Sequence, residues 1–177
     1  MVAASRLPVN TTATATQMAN EIFGDGVTVV SASYTGDARS SGIYSNGDTV
    51  SPFVTPGDTG VILSTGRAID FTNAAGGTSA NPTQANLSAQ RTTDTAGVNN
   101  NAQFNAAAGT STFDAAWLDV DFIPTGNLMT MQFVFSSEEY PEFANGAYQD
   151  FFGVWVNGQQ VDLAVGDGDV DPNNLNA

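Results

Sequence analysis

The sequence predicts a mainly β protein, an antiparallel β-sandwich of jelly-roll type with one short N-terminal helix. Three observations carry that expectation. Apolar and polar residues alternate over Val27–Tyr34 and again over Ala116–Ile123, the period of a half-buried strand. Turn residues punctuate these runs, above all Asn157-Gly158 between Phe151–Val156 and Val161–Leu163. Helical spacing with capping residues occurs once, near Thr14.

The helix comes first. Thr14 and Gln17 stand three apart, as the two halves of a capping box do. Ala15, Met18 and Ile22 share a face, and Gly24 stands where a C-cap glycine belongs. Val27–Tyr34 is rich in β-branched residues and reads as a strand, followed by a shorter one at Gly60–Ser64. Asp70–Thr112 has few large apolar residues and no period, and reads as long loops. In the next run Ala116, Leu118, Val120 and Phe122 face one way, and Trp117, Asp119, Asp121 and Ile123 the other. Pro124–Asn127 predicts a turn. Met129, Met131, Phe133 and Phe135 then form the apolar face of a further strand. Phe151–Val156 is apolar on both faces, as a central strand would be, and Asn157-Gly158 predicts a type I′ hairpin.

At 177 residues the chain is expected to form a single domain spanning 1–177. Eighteen acids face four arginines, for a net charge of −14. Such a surface repels phosphate backbones and anionic lipid, which argues against nucleic-acid and membrane partners. The chain has no His, Cys or Lys. That excludes Ser-His-Asp and Cys-His machinery, His-ligated zinc, disulfides, Schiff bases and lysine crosslinks. Only carboxylate, hydroxyl or metal-water chemistry is left, so the expectation is a protein that is not an enzyme. No apolar run is long enough to span a membrane.

The acids are unevenly placed. Three of the four glutamates, Glu138, Glu139 and Glu142, fall within five residues, and no basic residue follows Arg91. Crowded like charges need a counter-charge, and a set of oxygen ligands points to Ca2+. Candidate metal ligands are Glu138, Glu139, Glu142 and Asp150, with Asp121 and Asp114 as further donors. On a strand running on from Phe135, Glu138 and Glu139 would point to opposite faces, which disfavours a close catalytic pair. A second group, Asp167, Asp169 and Asp171, has the D-x-D-x-D spacing of a calcium turn. Pro172 stands where an EF-hand needs glycine, so an EF-hand is excluded.

The run Asp114–Gly126, followed by Phe133-Val134-Phe135-Ser136-Ser137-Glu138-Glu139-Tyr140-Pro141-Glu142-Phe143, resembles the bacterial choice-of-anchor L domain family. Asp150–Val154 resembles its continuation, and Gly26–Val29 and Gly60–Gly66 stand where its early strands belong. The resemblance implies an exported bacterial protein, secreted or held at the cell surface, within a larger adhesin or matrix protein. It carries over no catalytic residues. Two departures stand out. Asn99-Asn100-Asn101 and Asn105 replace an Asp-Leu-containing segment, and family domains run on past the acidic loop into further strands. The second departure predicts a domain truncated at its C-terminus.

Three functions follow as expectations. The first is a calcium-stabilised, non-enzymatic surface, adhesin or biofilm-matrix module. The second is a carbohydrate-binding or carbohydrate-hydrolysing module that uses Glu138, Glu139 and Glu142, with Trp117, Tyr140, Tyr148 or Trp155 stacking on surface glycans. The third is a subunit that polymerises with other copies of the chain by strand addition.

Overall fold

The computed structural model describes residues 7–70, 95–137 and 150–163. The chain is mainly β, with antiparallel sheets and few helices; among the described residues the sheets do not close into a sandwich or jelly roll. Contacts group the chain into two compact units, Met1–Asn99 with Phe113–Val134, and Asn100–Thr112 with Phe135–Ala177.

In the first unit, helix α1 (Ala15–Ile22) starts as expected. The Thr14 hydroxyl accepts from the Gln17 amide at 3.2 Å, and the Gln17 side chain accepts from the Thr14 amide at 2.8 Å. This reciprocal pair satisfies two otherwise orphan donors. The helix ends differently from expectation. Phe23 is the cap, in extended geometry with its N–H on the Ala19 carbonyl, and Gly24 takes no left-handed turn. Met18 and Ala19 are buried, and the Phe23 ring lies 4.9 Å from that of Phe122.

Strand β1 (Val9–Asn10) pairs with β3 (Ser41–Tyr44), which pairs in turn with β4 (Gly60–Leu63), all antiparallel. The close passage of β1 over Gly42 leaves no room for a side chain there, because a Cβ would lie 2.6 Å from Val9. Between β3 and β4 lies helix α2 (Gly47–Val50), entered through Asn46 in the left-handed conformation.

Strands β2 (Val27–Thr35) and β5 (Trp117–Pro124) form a two-stranded antiparallel ribbon. The partly broken alternation in β2 has a structural cause. Register slips between Val29 and Ser31, so Val30 is an extra residue and lies 62 % exposed. Before the bulge Val27 and Val29 turn inward; after it Ala32 and Tyr34 do. One inserted residue flips side-chain parity, as a period of two requires. The inward set meets its partners in register: Val29 opposite Phe122, Ala32 opposite Val120, Tyr34 opposite Leu118. The sequence-derived faces of β5 are those observed. Thr125 closes the end of the ribbon through its amide and hydroxyl, both donating to the Gly26 carbonyl at 2.9 Å.

Residues 128–137 do not form the expected strand. They alternate in sequence, but alternation alone does not make a strand, which also needs a regular ladder of backbone bonds. Leu128, Met129, Met131 and Val134 are instead exposed.

In the second unit, helix α3 (Ala102–Ala108) occupies part of the stretch expected to be loop. Asn101 caps it, accepting from Gln103 and Phe104, and Gly109 ends it at φ +66°. A two-residue hairpin joins β6 (Trp155–Val156) to β7 (Gln159–Gln160). Its turn is type I′, with Asn157 at φ +51° and Gly158 at φ +76°, as the Asn-Gly pair predicts. Pairing runs one step further, from the Val161 amide to the Val154 carbonyl. Of the expected Phe151–Val156 strand, the last two residues form a strand and Phe152 a single β-bridge. Trp155 stacks on Phe104 at 5.4 Å and tilts against Phe151 at 6.2 Å.

Candidate functional site

Six of the nine candidate ligands, Glu138, Glu139, Glu142, Asp167, Asp169 and Asp171, lie outside the described residues. The strand meant to aim Glu138 and Glu139 to opposite faces is not found at 128–137, so that facing argument loses its basis. Asp150 is half-buried in the second unit. Asp121 and Asp114 belong to the first unit, Asp121 within β5 and Asp114 three residues before its start. β5 carries Asp121 roughly 13 Å beyond Trp117 at strand rise, and Asp114 lies on the other side of Trp117. Each has a local role. Asp121 accepts from its cross-strand partner Ser31 at 2.7 Å. Asp114 sits at φ +54°, its carboxylate 3.3 Å from the Thr95 hydroxyl and its amide donating to the Asn99 side chain. Among the described residues no three acids gather into a metal-holding group.

A firmly held carboxylate that sequence reasoning missed is Asp37, only 6 % exposed. It follows β2 in a turn where the Ser40 amide and the Tyr34 hydroxyl both donate to its carbonyl. The turn is possible because Gly36, at φ +148°, lets the chain pass 3.0 Å from the Ala116 backbone, measured from where a Cβ would stand. Oδ1 accepts from the Arg39 amide at 2.8 Å and from Arg39 Nε at 2.9 Å. Oδ2 accepts from Arg39 Nη2 at 2.7 Å and from the Ala96 amide at 2.8 Å.

Arg39 thus grips both oxygens, the bidentate geometry that a guanidinium offers. Its hydrogen bonds, then those of the Ala96 and Arg39 amides, hold the Asp37 carboxyl well below the usual carboxylate range. Burial pushes the neighbouring Tyr34 phenol up, and the Asp37 charge adds to the effect. A carboxylate has about four acceptor positions, and here all are filled. Asp37 therefore has no lone pair left for a cation or a proton in transit. It is a clasp, joining the turn after β2 to Ala96.

Neighbouring bonds strengthen that junction. The buried Ser40 hydroxyl donates to the Gly66 carbonyl at 2.5 Å, and the Ala68 amide to the Arg39 carbonyl at 2.8 Å. The Thr95 hydroxyl reaches the Thr65 carbonyl at 3.0 Å. Val98 and Ala115 exchange two backbone bonds, and Gly97 packs so tightly on the Asp114 backbone that any side chain would overlap it. The local pair Asp37-x-Arg39 was a signal open to sequence reading; its partner Ala96, 59 residues on, was not.

The profile of the choice-of-anchor L domain matches residues 8–176, nearly the whole chain. The chain belongs to the choice-of-anchor L domain family. This is a non-catalytic family of exported, surface-associated domains, so the choice-of-anchor L chain is an extracellular surface protein or part of one. Comparison with curated proteins and with solved structures finds no match. Among the described residues no helix is long and apolar enough to cross a membrane.

Proposed function

We propose that this choice-of-anchor L domain is a non-enzymatic, calcium-stabilised module of a bacterial adhesin or extracellular matrix protein. In this reading Glu138, Glu139, Glu142 and Asp150 form the core of the cation site. The supporting observation is the contrast between the two halves of the chain. The buried carboxylate of the first half, Asp37, is neutralised by an arginine. Twelve of the eighteen acids lie from Thr92 onward, where the chain has no basic residue. A cation is the counter-charge open to a crowded acidic segment there. It would act by cancelling repulsion and fixing loop geometry, which suits a module that must hold its shape outside the cell.

The test is a thermal melt in excess EGTA and in millimolar calcium. Binding at a hundredfold excess over Kd stabilises the native state by about 2.7 kcal/mol. In a chain of this length that raises Tm by about 5–10 °C. Joint replacement Glu138→Gln, Glu139→Gln and Glu142→Gln should abolish the rise. Superimposable melts in EGTA and calcium would refute the calcium reading.

A further inference from the structure

Three Asn-Gly pairs occur in the sequence, at 46–47, 145–146 and 157–158, and the second lies outside the described residues. In the other two both asparagines are exposed, but the glycines sit in opposite environments. Gly47 is buried; its amide donates to the Asp58 carbonyl at 2.8 Å, and a Cβ there would collide with the Gly57 carbonyl. The Asn46 carbonyl is tied down too, accepting from Thr49 and Val50. Asn157 and Gly158 are both exposed at the tip of the β6–β7 hairpin, with open space around Gly158. Among the described residues neither the Asn157 side chain nor the Gly158 amide has a hydrogen-bond partner.

The geometry points to Asn157-Gly158 as a site of spontaneous covalent modification, deamidation through a cyclic imide, with Asn46-Gly47 shielded from the same reaction. The Gly158 nitrogen attacks Cγ of Asn157. The N–Cγ bond forms, the Cγ–Nδ2 bond breaks, and the displaced nitrogen leaves as ammonia with the Gly158 amide proton. Water then opens the imide at either carbonyl, giving aspartate or a β-linked isoaspartate. The attacking nitrogen must be unengaged and the backbone free to rotate. Glycine at 158 places no side chain in the way, and solvent supplies the water that opens the imide and relays the Gly158 proton to the departing ammonia.

The isoaspartate product matters for the fold. It adds a methylene to the main chain inside a two-residue loop, where turn type and strand register are coupled. A lengthened loop cannot keep both positive-φ residues of the type I′ turn. The Trp155–Gln160 and Val156–Gln159 pairs lose their register, and the Trp155 stack on Phe104 loosens with them. The hairpin therefore carries a clock, set by exposure time and by alkalinity.

The experiment incubates the folded protein at mildly alkaline pH and follows each Asn-Gly peptide by chymotryptic mapping with isoaspartate detection. A parallel sample in denaturant supplies the intrinsic rates. In denaturant Asn46 and Asn157 should convert at similar rates. In the folded chain Asn157 should convert at least about tenfold faster than Asn46, the order of protection that a satisfied, packed amide confers. Asn157→Asp, which adds the charge without lengthening the chain, should keep the native near-ultraviolet signal of Trp155, whereas the aged protein loses it. Equal folded-state rates at the two sites, or an intact Asn157 in the folded chain, overturns the assignment.

Discussion

Replacing Asp37 with asparagine tests the clasp directly. An amide has one acceptor oxygen, so in either orientation its NH2 group faces donors that the carboxylate now satisfies. If the nitrogen takes the Oδ2 position, it meets the Ala96 amide and Arg39 Nη2, both now within 2.8 Å. A buried donor left without its acceptor costs about 1–3 kcal/mol. The loss to Arg39 is smaller than a fully buried pair would suffer, because its side chain is 59 % exposed and water replaces much of the interaction. The sum is about 2–3 kcal/mol, or a fall in Tm of about 5–10 °C for a chain of this length.

The effect should also depend on pH with a definite sign. Asp37 is held ionised in the folded state well below the ordinary aspartate value, so the native protein binds fewer protons than the unfolded chain as the solution is acidified. Its contribution is fully present above the unfolded aspartate pKa of about 4 and shrinks as pH falls below it. The gap between wild type and Asp37→Asn, measured by urea unfolding followed by circular dichroism, should be constant above about pH 5 and narrow steadily below about pH 4. A gap under about 0.5 kcal/mol at neutral pH, the range of an ordinary surface change, would refute the idea that this carboxylate holds the junction.

Other expectations follow from single contacts. Thr14→Ala removes the cap of α1 and should lower stability by about 1 kcal/mol in urea melts; Gln17→Ala should cost less, since the Thr14 hydroxyl still accepts the residue-17 amide. Gly97→Ala drives a methyl into the Asp114 backbone and should destabilise by about 2 kcal/mol or more in the same assay. Gly24→Ala meets open space at an ordinary φ and should be neutral or stabilise by up to about 1 kcal/mol. Trp155→Ala should lose the near-ultraviolet signature of the ring packed against Phe104 and Phe151, read by circular dichroism of the folded protein.

What the sequence made legible is what short-range chemistry decides. Thr14 and Gln17 announce α1 because the capping box is closed within one turn, and Asn157-Gly158 announces its hairpin because two residues fix the turn type. The faces of β5 follow from alternation alone. The irregular alternation of β2 was visible, but its cause, the bulge at Val30, depends on how a strand 90 residues away lies against it. Short strands such as β1 and β3 gave no run long enough to show a period. Helix α3 was hidden for the opposite reason: Asn101 and Gly109 bracket it clearly, but its alanine-rich interior has no apolar stripe. The Met129–Phe135 alternation over-read, because period two records which faces residues could share, not whether a regular ladder forms. At the candidate site, sequence pattern grouped acids by proximity along the chain, yet Asp114 and Asp121 each have local partners of their own, Thr95 and Asn99 for the one and Ser31 for the other. Asp37, a lone acid in a turn, gave no such pattern, yet its carboxylate accepts four hydrogen bonds.

The junction around Asp37 also bears on how such a domain can diversify. Thr65 is tied to Thr95, and Asp37 to Ala96, so positions 30 and 59 residues apart in sequence are fastened to each other. The entropy of closing a loop grows slowly with its length, each doubling adding about 0.6 kcal/mol. The bonds at the two ends therefore weigh more than the length of the span between them, and a lineage that lost Asp37 or Thr65 would give up the closure whatever residues lay between.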